Sequence, residues 1–219
     1  YESKNPEHNK KAKKSYRRFV KNLHTAKKLI DAEISTVLPA AAMLDKSTEN
    51  LKAYLITEYM EDCTDLYDFF FRRIKRTDPF KDHCIKKYVS EAVGRLLADF
   101  HKAGFSHRDA KAQNFLIRPA EKDNYRIYLT DLDGITRHCF LKPSRDRTLS
   151  KLCATLLPCE FIDRTDYLRT LYFYFERLGI DRKENRNFVK RLAATSVAAR
   201  LTSLVNSIEK WNSNRKKDK

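Results

Sequence analysis

Residues 82–134 constrain this chain more than any other stretch, because they set the order of a long helix, a polar loop and a hairpin. Apolar residues at helical spacing predict an amphipathic helix from about Asp82 to Lys102, and Gly104 follows where a C-cap is expected. A polar loop at 105–114 leads into two short strand-like runs, 115–117 and 125–130. We expect the two runs to pair, which brings the residues at their ends together.

The loop and the end of the hairpin carry polar side chains in a recognisable order. The loop reads HRDAKAQN at 107–114, and DLDG follows the second strand at 131–134. Phosphoryl transfer needs a carboxylate near the attacking hydroxyl, a cation for the moving phosphoryl group and oxygen ligands for magnesium. Residue types and spacing match H-R-D-x-K-x-x-N followed by D-x-[G/D]. The sequence therefore predicts that Asp109, Asn114 and Asp131 converge in a phosphoryl-transfer site.

Each of these residues also has a structural interpretation. Asp109 is a turn cap or a catalytic carboxylate, and Lys111 is a surface cation or a phosphate contact. Asn114 holds the loop through backbone hydrogen bonds, binds a metal ion, or does both. Asp131 follows an apolar strand, where an unpaired carboxylate is costly, so a metal partner is the more natural account. Asp133 is either a second metal ligand or a turn residue.

The chain is strongly basic, with 45 Lys and Arg against 29 Asp and Glu and a net charge of +16. Such an excess attracts polyanions: nucleic acid, an anionic membrane surface or phosphorylated substrates. Nine of the cations lie between Lys10 and Lys28, and a second cluster between Arg215 and Lys219 ends the chain. These clusters are either a solvated helix face and a frayed tail, or a surface that binds anions.

Composition excludes several classes of protein. Only four glycines occur, and no two fall within nine positions of each other, so neither a Walker A loop nor a dinucleotide fingerprint is present. The five cysteines contain no C-x-x-C pair, which argues against a zinc site and a disulfide framework and fits a reducing cytoplasm. No apolar run is long enough for a transmembrane helix, and no signal peptide is visible.

Helical periodicity and cap residues predict the remaining elements. The predictions for the first part are a helix over 9–30, a break at Pro39 and the alanines after it, a buried strand over 51–60, and a short helix capped by Thr64 or Asp65 and running to Phe71. The apolar stripe expected on the first helix consists of Tyr16, Phe19, Val20, Leu23, Leu29 and Ile30. The part of the chain after the hairpin is predicted to be helical, with one helix capped by Thr165 and running to Leu178 before Gly179, and a last helix that carries Phe188 to Trp211.

The chain resembles the protein-kinase-like superfamily over residues 51–134, and within it the lipopolysaccharide core kinases, which phosphorylate Kdo (3-deoxy-D-manno-octulosonic acid) or heptose. Three features favour that branch. A basic helix with KKSY at 13–16 leads into a break containing proline, the metal motif reads DLDG in place of DFG, and RTDYLR stands at 164–169.

The resemblance implies an α+β, bilobal protein-kinase-like fold with a truncated small β lobe and a mainly α-helical large lobe. It divides the chain into a partial N-terminal lobe at 1–60, a C-terminal helical lobe at 61–212 that carries the catalytic loop, and a basic tail at 213–219. A glycine-rich loop and a strand lysine are expected in such a fold, and neither is present. We expect the chain to begin just after that lysine. The helix over 9–30 has no acidic residue before Asp31, so the glutamate that pairs with the lysine is missing or moved.

The resemblance also implies the cofactors, ATP and Mg²⁺, and the roles of eight residues. In this interpretation Asp109 orients or deprotonates the sugar hydroxyl, and Lys111 neutralises the transferred phosphoryl group. Asn114 and Asp131 hold magnesium. The hinge that binds adenine through its backbone is Glu58, Tyr59 and Met60, and Thr57, just before it, lies at the back wall of the nucleotide pocket.

The leading hypothesis is an ATP-dependent phosphotransferase acting on a sugar hydroxyl of lipopolysaccharide core. We expect its partner to be an anionic glycolipid or sugar, and its location to be the cytoplasm, with peripheral contact at the inner membrane surface through Lys10–Lys28. Two alternatives stay open: a catalytically impaired, pseudokinase-like scaffold, and a kinase with a protein or other small-molecule acceptor. Nucleic-acid binding is supported only by charge, because no recognition motif is present.

Overall fold

A computed structural model describes residues 6–47, 50–73, 78–120, 124–138, 142–180 and 182–217. The described residues form a mainly helical α+β structure, as the sequence predicts. The helices are α1 (Pro6–Asp31), α2 (Leu66–Asp68, continued by a π turn at Phe69–Arg73), α3 (Pro79–Lys102), α4 (Lys142–Leu156), α5 (Arg164–Leu178) and α6 (Arg182–Lys217). The strands are β1 (Pro39–Asp45), β2 (Lys52–Thr57), β3 (Thr64–Asp65), β4 (Phe105–His107), β5 (Phe115–Pro119), β6 (Tyr125–Leu129) and β7 (Ile135–Arg137).

The first part of the chain packs α1 against an antiparallel pair of strands, β1 and β2. The predicted strand over 51–60 is confirmed as β2, but the expectation that it is buried is wrong, since all of its residues are exposed or only partly buried. The predicted break after Pro39 is also wrong. Pro39 is the first residue of β1, a position that needs no ladder donor, and the alanines after it pair with β2. Pairing with a neighbouring strand overrides the low strand propensity of alanine.

The predicted helix over 9–30 is confirmed as α1, but its buried face is only partly the predicted one. Of the expected apolar stripe only Leu29 is fully buried, and Ile30 is half exposed. Small and polar residues provide the rest of that face, including Ala12, Asn22 and Ala26. All nine cations of the Lys10–Lys28 cluster are exposed.

A three-stranded antiparallel sheet, in the order β3-β5-β6, lies at the centre of the described chain. The predicted hairpin is confirmed by the pairing of Phe115 with Leu129 and of Ile117 with Ile127. The segment that follows α1 joins this sheet beside β6. There the amide of Val37 donates to Leu129 O at 2.9 Å, and the amide of Leu129 donates to Ser35 O at 3.0 Å. The segment after α1 is therefore tied to the strand that leads into Asp131.

The long helix predicted over 82–102 is confirmed as α3, which begins at Pro79 with Asp78 as its N-cap. It packs along α5, and the two helices approach closely at Gly94, where an added Cβ would lie 2.5 Å from Thr170 O. His101 is buried in this interface and contacts the Tyr174 hydroxyl at 2.8 Å. Burial, with a smaller contribution from Arg145, lowers the pKa of His101 to about 3, so the ring is neutral.

The expectation of an unbroken loop over 105–114 is wrong at its start. Phe105–His107 forms β4, which is fully buried and pairs antiparallel with β7. A three-residue strand carries almost no periodic signal, and its partner lies about thirty residues further along the chain. The pair places the first residues of the polar loop directly beside the DLDG turn.

The later helices follow the predictions with one correction. Asp163, and not Thr165, is the N-cap of α5: its carboxylate accepts from the amides of Thr165 and Asp166, and Asp166 completes a capping box. Asp65 caps α2, as one of the two predicted alternatives. The last helix, α6, runs to Lys217, so residues 213–217 of the predicted basic tail are part of this helix. Lys219 lies outside the described residues.

None of the helices in the described ranges is both long enough and apolar enough to span a membrane. The divisions of the chain at residues 60 and 212 stay predictions.

Candidate active site

Asn114 lies at the centre of the polar loop and connects its two ends. Its Nδ2 donates to Asp109 O at 2.7 Å and also lies 3.4 Å from Asp131 Oδ2. The backbone supports the same arrangement, because Asn114 N donates to Lys111 O and Thr130 N donates to Asn114 O. A short 3₁₀ turn at Ala112–Asn114, followed directly by β5, sets this geometry. The structure thus brings together Asp109, Asn114 and Asp131, as the sequence predicts.

Lys111 forms an ion pair with Asp109, with Nζ 2.8 Å from Oδ2. The two side chains are 50% and 38% exposed, and an ion pair that open to water is worth about 0–1 kcal/mol. Lys111 can therefore leave Asp109 at little cost when a more highly charged anion is near.

The turn at Asp131 has an unusual backbone conformation. Asp131 adopts φ +52° and ψ +58°, in the left-handed region, where aspartate is one of the few tolerated side chains other than glycine. A 3₁₀ turn at Leu132–Gly134 follows. Asp133 lies within this turn, and its Oδ2 is 3.6 Å from Arg18 Nε on α1. The structure thus places Asp133 in a turn, with its carboxylate facing the Arg18 guanidinium, while the alternative role as a second metal ligand stays a prediction.

His107 supports the loop from beneath. Its ring is 1% exposed, its Nδ1 accepts from the amide of Asp109 at 3.2 Å, and its Nε2 lies 3.5 Å from Thr130 O. Burial lowers the pKa of His107, against smaller opposing effects of Thr130 O and the nearby carboxylates, so the ring is neutral at pH 7. Gly134 passes so close that an added Cβ would lie 2.7 Å from Nδ1 and Cε1 of this ring.

Helix α4 supplies two supports that the sequence reasoning missed. Thr148 Oγ1 accepts from the amide of His107 at 3.0 Å, and Thr155 Oγ1 accepts from the amide of Ala112 at 3.0 Å. Both threonines lie more than forty residues beyond the groups that they hold. A single threonine on a helix face carries no signal for such a contact, so only the tertiary structure identifies them.

The predicted adenine-binding residues begin at Thr57, the last residue of β2, and β2 belongs to a different sheet from β5 and β6, which flank the polar loop and the DLDG turn. The Glu58 amide donates to Leu38 O at 2.9 Å, and its carboxylate accepts from the Leu38 amide at 2.7 Å. Thr57 and Tyr59 are exposed, Tyr59 at 88%, and Met60 is partly buried. Among the described residues, no hydrogen bond or ion pair joins these four residues to the polar loop at 107–114.

The donor set at the loop fits a magnesium ion. Because Asn114 Nδ2 donates both of its contacts, the amide oxygen is the end available as a ligand, and an oxygen of the Asp131 carboxylate lies 3.4 Å from Nδ2 of the same side chain. Magnesium is bound through one or two such oxygens together with substrate phosphates and water. A cluster of three or more His, Cys, Asp or Glu side chains that could hold a metal ion is not found among the described residues.

The fold and the site define a protein of the protein-kinase-like class. A solved structure, WaaP in complex with acyl carrier protein, superposes with a TM-score of 0.63 at 24% identity, covering 80% of this chain and 74% of that one. The kinase domain of a rhoptry antigen specific to Toxoplasma gondii superposes with a TM-score of 0.50 at 12% identity, covering 89% and 73%.

Sequence comparison narrows the class. The model of the lipopolysaccharide kinase (Kdo/WaaP) family matches residues 7–190, and the chain belongs to this family. The chain is also 29% identical over 157 residues to the lipopolysaccharide core heptose(I) kinase WaaP of Pseudomonas aeruginosa. That alignment covers 69% of this chain but only 57% of the length of the relative.

Proposed function

We propose that this chain transfers the γ-phosphoryl group of ATP, with magnesium, to a sugar hydroxyl of lipopolysaccharide core. The observation that supports the proposal most directly is the position of Asn114, which bridges the backbone of Asp109 and the carboxylate of Asp131. In this proposal the side chain of Asn114 sets the distance between Asp109, which faces the acceptor, and Asp131, which faces the metal ion. Family membership supports a lipopolysaccharide acceptor.

Asp109 is the residue that receives the acceptor. Its carboxylate is partly exposed, and its backbone is held on both sides, by His107 at the amide and by Asn114 at the carbonyl. Such a fixed carboxylate orients a sugar hydroxyl and accepts its proton as the phosphoryl group arrives. Asn114 and Asp131 hold the magnesium ion, which when bound neutralises charge on the phosphates of the nucleotide.

Lys111 serves the moving phosphoryl group. Its ion pair with Asp109 places the ammonium group beside the catalytic carboxylate before the substrates bind. When the nucleotide enters, its phosphate oxygens offer a denser negative charge than one exposed carboxylate, so Nζ moves to them. Asp109 is then released to bind the hydroxyl.

Thr57, Glu58, Tyr59 and Met60 form the proposed adenine contact. Because the Glu58 amide is already bound to Leu38 O, the contacts fall to the Glu58 carbonyl and the Met60 amide. The Glu58 carboxylate caps the Leu38 amide and thereby fixes the angle at which the chain leaves β2.

The positive charge of α1 supports the proposed acceptor and the proposed location. The exposed cations of α1 suit an anionic glycolipid, and they favour peripheral contact with the anionic surface of the inner membrane on its cytoplasmic side.

The test is phosphate transfer from labelled ATP to isolated lipopolysaccharide core, compared between wild type and Asp109→Asn. We expect the variant to lose transfer by about 10²–10⁴-fold, the usual contribution of a positioned general base. The matched control is Asp99→Asn, which removes an equal charge from α3. The ion-pair partner of Asp99 is Arg177 on α5 and not a residue of the polar loop. Full transfer by Asp109→Asn, with the control also active, removes Asp109 from the role.

The same assay separates the alternatives. Magnesium-dependent ATP binding without transfer to glycan, but with transfer to added proteins, favours a protein acceptor. Absence of magnesium-dependent ATP binding favours the scaffold.

A further inference from the structure

A cavity lies beside the polar loop, and neither Asp109 nor Asp131 belongs to its lining. It has a volume of about 160 Å³, whereas roughly 10–15 Å³ is enough to hold one water molecule. Its walls come from α1, β4, the DLDG turn, β7 and α4, so it forms only when these separate parts of the chain meet.

The charges around this cavity are mostly positive. Lys21 from α1, Arg108 from the loop and Arg147 from α4 line it, together with His138. The acidic residue in the lining, Asp133, already faces Arg18 at 3.6 Å. Within the described ranges, none of the three lining cations Lys21, Arg108 and Arg147 forms an ion pair with a carboxylate.

Hydroxyl groups complete the lining. Ser106, Thr136 and Ser144 contribute to the wall, and Ser106 is 4% exposed, with its Oγ 3.4 Å from Thr136 Oγ1. Ammonium and guanidinium groups beside hydroxyl donors form the donor set that binds phosphate and carboxylate oxygens. A cleft that concentrates one sign of charge also raises the local concentration of the opposite ion.

We propose that this cavity binds an oxyanionic group, a phosphate or a carboxylate, through Lys21, Arg108 and Arg147. Arg108 directly precedes Asp109, and its amide donates to Gly134 O at 2.8 Å, so the cavity and the catalytic site share one wall. The oxyanion comes either from an acidic group of the acceptor glycolipid or from a free small anion. The first source rests on the proposed function, and the second does not.

The first experiment titrates inorganic phosphate into the whole chain by calorimetry, at constant ionic strength in chloride. We expect saturable binding to the wild type, and an affinity about tenfold lower in Lys21→Ala and in Arg147→Ala, as loss of one charge-assisted contact predicts. Lys87→Ala on the exposed surface of α3 and Arg200→Ala on α6 remove the same charge elsewhere, and they should stay within about twofold of wild type.

Two results overturn the proposal: no saturable phosphate binding to the folded wild type, or an equal loss in all four variants, which would indicate general charge attraction. The titration needs no acceptor, so it tests the cavity even where sugar transfer fails.

The second experiment identifies the source of the oxyanion. If it belongs to the acceptor, inorganic phosphate and the substitutions at Lys21 and Arg147 should each raise KM for the acceptor and leave KM for ATP unchanged. If phosphate binds but KM for the acceptor stays at the wild-type value in both variants, the occupant is a free small anion.

Discussion

Gly134→Ala tests the arrangement of the catalytic loop with a single methyl group. The added Cβ would lie 2.7 Å from Nδ1 and Cε1 of His107, closer than real Cβ contacts come. The His107 ring is buried and has a polar partner at each nitrogen, so any movement away from the new methyl group disturbs these contacts. We therefore expect the ring to shift and to weaken the hydrogen bond that it accepts from the Asp109 amide.

The magnitude follows from two effects. Adding a methyl group to a packed site costs about 1–3 kcal/mol, and each kcal/mol lowers the Tm of a chain of this length by about 2–4 °C, which gives a fall in Tm of about 2–12 °C. A displacement of Asp109 by a fraction of an ångström to one ångström lowers kcat by up to about 10²-fold. KM for ATP should change little, since the atoms nearest to the new methyl group belong to His107 and Asp109 and not to the proposed metal ligands.

The assay measures thermal unfolding and phosphate transfer on the same preparations. The control is Gly94→Ala, which brings a Cβ to 2.5 Å from Thr170 O in the interface of α3 and α5. It should also lower Tm but leave kcat near wild type at temperatures where the variant is folded. Wild-type kcat in folded Gly134→Ala, or an equal loss of kcat in both variants, would refute the argument that the His107 ring transmits the change to Asp109.

Three further predictions follow from single contacts. Asn114→Leu should raise the magnesium concentration required for half-maximal transfer by about tenfold or more, while the fold measured by circular dichroism persists; an unchanged magnesium requirement would remove Asn114 from the metal site. Thr148→Val leaves the buried amide of His107 without its acceptor and should lower the free energy of unfolding by about 1–3 kcal/mol in urea titrations, whereas Thr148→Ser should retain most of it. The hydrogen bond from Lys86, and to a smaller extent those from the backbone amides of Thr165 and Asp166, lower the pKa of Asp163 from 3.8 to about 2. The contribution of this ion pair to the stability of the fold is therefore complete above about pH 4 and is lost as the pH falls toward 2. The Tm difference between wild type and Lys86→Met should therefore shrink between pH 4 and pH 2, and a constant difference would contradict the assignment.

The elements with strong local signals could be predicted from the sequence. Twenty or more residues of helical periodicity identify α1 and α3, and alternation with β-branched residues identifies β2, β5 and β6. The fixed spacing from Asp109 to Asn114 and Asp131 predicted that these three residues meet, because a short loop and a hairpin leave few other arrangements. Chain connectivity and local geometry were sufficient for this part of the site.

The supports of the site depend on contacts between distant parts of the chain. Thr148 and Thr155 hold the loop from α4, Arg18 reaches Asp133 from α1, and Gly134 packs on His107. None of these pairs has a spacing or residue pattern that distinguishes it from an ordinary surface or core position. Each depends on how α1 and α4 pack around β4 and β7, and that packing minimises exposed apolar surface over the whole chain rather than within any one segment. The sequence alone thus determined the spacing that brings Asp109, Asn114 and Asp131 together, and the tertiary structure decided which residues hold them in place and where a basic cavity forms beside them.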